Sequence, residues 1–491
     1  MRVLWFACVP SLYENLKIGG WVASLERIFR EYCCKEHTLG IAFEHKDKIF
    51  KKVDGNVTYY PLCNRQNFFR YVQTRLNPKK RWELLKPKCL KVIEDFKPDV
   101  IQVFGSEWPF GALAEEINIP IIIHMQGFMN VYVLSDDLAF SRADRLCFQT
   151  GNPKSILISL YQMLFSRKNQ KYTKSFEQQI MKSNRYFFGR TEWDRRLVEM
   201  YGAPDSTYFY CPEALRPEIY EEKWEYHKSS LSTIKSSQDC KGSNTGNVSK
   251  VNEADKASTI SITSNSSPTN STPTVDNTSN INNLSNTGHV NYADKAANTP
   301  ERKANEKLEI ITVSQAGSRK GNEIILRTAD ILKNDFHLNF TWKVAGSKDA
   351  FRLFEKKSGL RHENLNIELL GFIPASEVAK QLSTSHVYVH PSIADNSPNS
   401  LCEAQVVGCP VIAANVGGIP QLVEDGKTGL LYPYNEPHIL AYLLMKLDEK
   451  QLRELSANER RIAIERHDPK KIADVLMNTY EEIKKIKRSI N

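Results

Sequence analysis

His390-Pro-Ser-Ile-Ala-Asp395-Asn-Ser-Pro-Asn399-Ser-Leu-Cys-Glu403-Ala-Gln-Val-Val-Gly408-Cys-Pro410-Val-Ile-Ala-Ala-Asn415-Val-Gly417-Gly418 is the stretch from which the rest of the chain is read. It reads as strand, loop, helix, strand, loop. Val387 to His390 is a short β-branched run suited to a buried parallel strand. Pro391 to Pro398 is rich in Pro, Ser, Asn and Asp and is therefore loop. Asn399 or Ser400 is the expected N-cap, with Glu403 in the first turn, where a carboxylate suits the helix dipole. Gly408 to Pro410 ends the helix, Val411 to Ala414 is the next strand, and Gly417-Gly418 is a tight turn. A helix start placed after a parallel strand is an anion site, and a diphosphate fits against the N–H groups of Asn399, Ser400 and Leu401. Glu403 can accept from the two vicinal hydroxyls of a ribose, and Asp395 can address a second polyhydroxyl group. Together they point to a nucleotide sugar.

Working outward, Leu308 to Val313 is another strand, followed by Arg319-Lys320-Gly321 and a helix from Asn322. Cations at such a turn suit a diphosphate. Near the N-terminus, Gly19-Gly20 lies between a strand at 2–7 and a helix from Trp21, and a glycine pair there lets backbone approach a ligand closely. Pro98 to Phe104 and Ile119 to His124 are further strands, each ending in a loop. Arg190 closes the strand 184–190 before a helix capped by Thr191, placed to meet an anionic ligand or to pair with Glu192 or Asp194.

The combination over residues 386–432 resembles the donor-binding signature of retaining glycosyltransferase family 4, glycosyl transferases group 1. That family has two acidic residues separated by seven others, here Asp395 and Glu403, although the first is usually Glu. It usually has an Arg five residues before the lysine, where this chain has Gln315. The resemblance implies an α/β GT-B fold, with two Rossmann-like doubly wound domains facing a cleft. It implies that His124 or Gln126 lies near the reacting carbon, that Gly19 and Gly20 touch the donor diphosphate or the acceptor, and that Phe372 and Ile373 sit beside the base. It also implies a metal-independent enzyme without a cofactor. A UDP- or GDP-sugar would be the donor and a glycan or lipid-linked hydroxyl the acceptor, in surface polysaccharide or lipopolysaccharide synthesis.

A chain of 491 residues implies two or three domains. The expected division is an acceptor-side domain at 1–228, a linker at 229–306, a nucleotide-sugar domain at 307–468 and a crossover helix at 469–491. The linker is dominated by Ser, Thr and Asn with almost no aromatics, a composition that cannot offset ordering entropy. The 10 cysteines form no CxxC pair, and no His, Cys or Asp cluster has metal spacing, which argues for a reducing cytoplasm and against a zinc module. No nucleic-acid module is visible despite a net charge of +9. Residues 68–91 interleave cations with aromatics, which suits either an anionic membrane surface or a solvated face. Two rival readings share the architecture: a sugar-nucleotide 2-epimerase, and a non-catalytic sugar-nucleotide-binding subunit.

Overall fold

The computed structural model describes residues 1–13, 20–45, 50–64, 73–74, 77–133, 171–227, 306–314 and 318–490. Gly19, Gln315, 151–170 and most of 229–306 lie outside the described residues.

Two sheets carry the fold. The first contains β1 (Arg2–Ala7), β2 (Thr38–His45), β3 (Lys52–Asp54), β4 (Val57–Cys63), β5 (Val100–Phe104), β6 (Ile121–His124), β7 (Tyr186–Gly189) and β8 (Thr207–Tyr210), in the order β3-β4-β2-β1-β5-β6-β7-β8. Only the β3–β4 pairing is antiparallel. The second contains β9 (Leu308–Ser314), β10 (Phe340–Gly346), β11 (Ile367–Gly371), β12 (Val387–His390), β13 (Val411–Ala414) and β14 (Leu430–Tyr432), all parallel, in the order β11-β10-β9-β12-β13-β14. The continuous apolar runs follow from this layout, since helices cover both faces of a parallel sheet and every residue of β5, β12 and β13 is buried.

Strand order reverses beside β1 in the first sheet and beside β9 in the second. At such switch points the loops leaving neighbouring strands diverge and open a crevice at the carboxyl ends. The sites below lie at these two edges.

The last helix, Pro469–Ile490, packs on the first sheet. Its Ile472, Leu476 and Ile483 join Trp5 and Phe104 in one core, and burying each aliphatic side chain contributes roughly 2 kcal/mol. Tyr480 Oη accepts from Trp5 Nε1 at 3.1 Å and donates to Gln102 Oε1.

Candidate functional site

The helix after β12 spans Asn399–Val407. Two details differ from expectation. Pro398 is the N-cap and, having no polar side chain, leaves the helix without a side-chain cap, while Ser400 Oγ meets the Tyr388 hydroxyl at 2.9 Å. Glu403 lies beyond the first turn, so it is held by a partner rather than by the dipole.

In front of this helix stands Asp395. Its Oδ2 accepts from Lys320 Nζ at 2.6 Å, Ser392 Oγ at 3.1 Å and His390 Nε2 at 3.2 Å. Burial pushes this carboxyl up, but Lys320 and His390 outweigh it and hold it well below the usual carboxylate range. Burial holds His390 below its ordinary value, so it is neutral, with Nε2–H toward Asp395 and Nδ1 toward the Tyr388 hydroxyl at 2.9 Å. A continuous hydrogen-bonded line therefore runs from Lys320 to Ser400 in the helix's first turn. Two glycines make it fit. Gly321, at φ +71°, would collide through any side chain with Pro391 O, and Gly417, at φ +55°, with Asp395 O.

Glu403 is nearly buried and accepts a bidentate pair from Arg216, at 2.7 Å to Oε1 and 2.6 Å to Oε2. Asn396, next to Asp395, ties this loop to the first sheet's side. Its Oδ1 accepts from Thr191 Oγ1 at 2.6 Å and its Nδ2 donates to Asp194 at 2.7 Å. Sequence reasoning missed Arg216 and Asn396. Arg216 lies 187 residues from its partner and carries no local signal.

Among the other expected residues, Arg319 lies across Tyr132, its guanidinium 3.8 Å from the ring centroid. Phe372 is 78 % exposed just after β11, and Ile373 packs partly against the core. Gly20 opens the Gly20–Tyr32 helix at φ +53°.

The first sheet's edge brings His124, Gln126 and Arg190 together at the ends of β6 and β7. Tyr480 occupies the Gln102 oxygen, so the Gln102 amide nitrogen donates to His124 Nδ1 at 3.2 Å. That leaves the His124 proton on Nε2, which is buried without a partner. Burial, reinforced by Arg190, holds His124 well below its ordinary pKa, so the ring is neutral. Arg190 stacks on Trp21 at 4.3 Å and faces Glu213 at 3.8 Å. Neither expected partner takes its guanidinium: Glu192 pairs with Arg195, and Asp194 accepts the Arg190 backbone N–H.

Sequence spacing also missed two clusters with metal-ligating groups. Glu213, Cys402 and His467 place ligand atoms within 4.8 Å of one another, all buried; Glu355, His362 and Glu363 do so nearer the surface. The buried cluster is poorly matched to a dication. Arg190 already faces Glu213, Arg466 adds positive charge, and burial raises the Cys402 thiol well above its ordinary pKa. In the second, Glu355 already accepts from His362 at 2.6 Å.

Of the residues 68–91, the helix Pro78–Phe96 covers the later part. Trp82 is buried, Arg81 pairs with Glu44, and Lys86 pairs with Glu116, while Lys79, Lys80 and Lys91 are exposed. Among the described residues no helix is long and apolar enough to cross a membrane.

Comparisons with known proteins bear on the fold and the family. Residues 294–467 match the family model of glycosyl transferases group 1. The amylovoran biosynthesis glycosyltransferase AmsK of Erwinia amylovora is 27 % identical over 153 residues, covering 30 % of this chain and 37 % of the relative. Across the first such relatives, the matched region spans about a third of their length, 34 % to 38 %. Sucrose-phosphate synthase from Thermosynechococcus elongatus superposes with a TM-score of 0.61 at 13 % identity, over 98 % of both chains. Anabaena HepE, crystallised with UDP and glucose, superposes with a TM-score of 0.55 at 14 % identity, over 98 % of this chain and 99 % of that one. Residues 294–467 are thus similar to the glycosyl transferases group 1, and the two parallel sheets are those of the GT-B fold.

Proposed function

We propose that the protein is a retaining, metal-independent glycosyltransferase. It moves a sugar from a nucleoside-diphosphate sugar to a hydroxyl of a glycan or glycolipid during cell-surface polysaccharide synthesis. The observation that carries the reading is the side-chain-free start of the Asn399–Val407 helix, with Lys320 and Asp395 wired in front of it. The relative AmsK is named for amylovoran biosynthesis, and HepE, of the same fold, was crystallised with UDP and glucose.

In this reading the donor diphosphate lies against the N–H groups of Asn399, Ser400 and Leu401. Lys320 and the helix dipole neutralise the charge that grows as the sugar–oxygen bond breaks, with Arg319 alongside. Such electrostatic stabilisation is worth about 10²–10³-fold in rate for a single well-placed donor. Glu403 holds the ribose: Arg216 fixes the carboxylate plane, and each oxygen keeps a second lone pair for a hydroxyl. Asp395 addresses the donor sugar, and the Phe372–Ile373 turn receives the base. The departing phosphate takes the acceptor proton, so no separate base is needed. Contact with a membrane surface would run through the exposed Lys79, Lys80 and Lys91.

The test is nucleoside diphosphate release from UDP- and GDP-sugars, with the product anomer read by NMR. The reading expects release that falls at least a hundredfold in Lys320→Ala, and an anomer matching the donor. Release from no donor, or equal release in the variant, contradicts it.

A further inference from the structure

The edge at the ends of β5, β6 and β7 gathers polar atoms that nothing satisfies. Glu107 Oε2, His124 Nε2, Gln126 Nε2 and Arg190 Nε and Nη2 are all buried without a hydrogen-bond partner. Buried polar groups are nearly always bonded, and leaving one orphaned is destabilising. The three strands are adjacent in the sheet, so the orphans share one rim. The neighbouring Glu177 shows what a finished buried carboxylate looks like here. It accepts from Ser106 Oγ and from the backbone N–H groups of Met129 and Asn130.

Glu107 stands apart from the other three, which offer N–H donors. Its carboxyl folds back over Gly105, where φ is +88° and any side chain would strike it. We propose that Glu107 binds a hydroxyl of the sugar acceptor, an assignment that rests on the glycosyltransferase reading above. A sugar hydroxyl both donates and accepts, so it satisfies a rim of N–H donors and one carboxyl together. The acceptor is favoured over the donor because the rim belongs wholly to the first sheet, while the donor-side carboxylates Asp395 and Glu403 already have their partners. Tyr132, stacked under Arg319, joins the two sides.

Burial pushes the Glu107 carboxyl up to about 8 and Glu177 adds to this, against the opposing pull of its own backbone N–H, Arg190 and the Trp108 side chain, which leave Oε2 alone unmatched. The charged or titratable groups facing it are Glu177, Arg190, Cys8 and Tyr132. At neutral pH Glu107 is therefore protonated and both donates and accepts. The donor capacity is lost as pH rises through that value.

The test is saturation-transfer NMR of methyl α-D-glucoside, galactoside and mannoside with the full chain in the presence of UDP. Nucleotide binding serves as the control for folding. At least one glycoside should bind wild type, and Glu107→Gln, permanently neutral, should bind it within about threefold. Glu107→Ala should bind at least tenfold more weakly. Wild-type binding should decline above pH 8 and that of Glu107→Gln should not. Equal binding by Glu107→Ala, or no glycoside bound by folded wild type, overturns the assignment. If donor turnover persists in that case, only Glu107 is reassigned; if turnover is absent too, the transferase reading falls with it.

Discussion

The rim of the second sheet and the rim of the first are built to opposite plans. Around Asp395 the described charged side chains answer one another: three donors converge on one oxygen and Glu403 is clamped by Arg216, with only uncharged groups such as Ser397 Oγ and Asn322 Oδ1 left unmatched nearby. Around Glu107, His124, Gln126 and Arg190, buried donors and acceptors wait. The first arrangement suits a ligand whose diphosphate and ribose are the same in every turnover, because groups fixed in advance lose little order on binding. The second is an unfinished network that a particular polyol completes. On the proposed function, a preorganised rim and an incomplete one would correspond to a shared donor chemistry and a private acceptor.

The sharpest way to break this contrast is Lys320→Ala, which removes the cation from the wired rim; turnover should fall by about 10²–10³-fold. If the rate holds, the wiring is only structural. Arg216→Met should come next. It leaves Glu403 as a nearly buried carboxylate without its partner, lowering stability by about 3 kcal/mol and weakening nucleotide binding at least tenfold. Chemical denaturation and calorimetry read the two effects separately. Asn396→Ala cuts the tie from the motif loop to Thr191 and Asp194. A cost of about 1–2 kcal/mol in denaturant unfolding is expected, with a smaller loss of turnover.

The smallest effect is a pH signature. Glu107, ordinarily ionised above about 4.5, stays protonated in the fold up to about 8. The folded state therefore binds more protons across that interval, and stability declines as pH rises through it. Glu107→Gln should melt close to wild type at pH 4 and above it at pH 8. Asp395 has the opposite sign. Its carboxyl is held down, so its contribution is present above the ordinary Asp value of 3.8 and is lost as pH falls below it. Melting curves of Asp395→Asn against wild type should therefore converge in strong acid.

The contrast also explains what the sequence disclosed. The 386–432 stretch was legible because its contacts are local. Strand, loop and helix follow within a few residues, and Gly408, Gly417 and Gly321 mark turns whose backbone requires them. β9, β12 and β13 were legible as short apolar runs. What escaped was long-range: Arg216 with Glu403, Thr191 with Asn396, and Cys402 with Glu213 and His467 are brought together only by the finished fold. Glu107 escaped for a related reason. Nothing local in Gly105-Ser-Glu-Trp shows that the Glu107 carboxyl folds back over Gly105 and buries its Oε2. Arg190 follows its strand as expected, but of the two readings offered for it the pairing with Glu192 or Asp194 gives way to Glu213, which is close in space and distant in sequence.

Calorimetric titration of UDP into wild type and Lys320→Ala tests the central claim most directly, that a nucleoside diphosphate rests at the start of the Asn399–Val407 helix beside Lys320. The account predicts saturable one-to-one binding to wild type and affinity at least tenfold weaker in the variant. Equal affinity in a folded variant, or no binding to wild type of UDP or GDP, would contradict it.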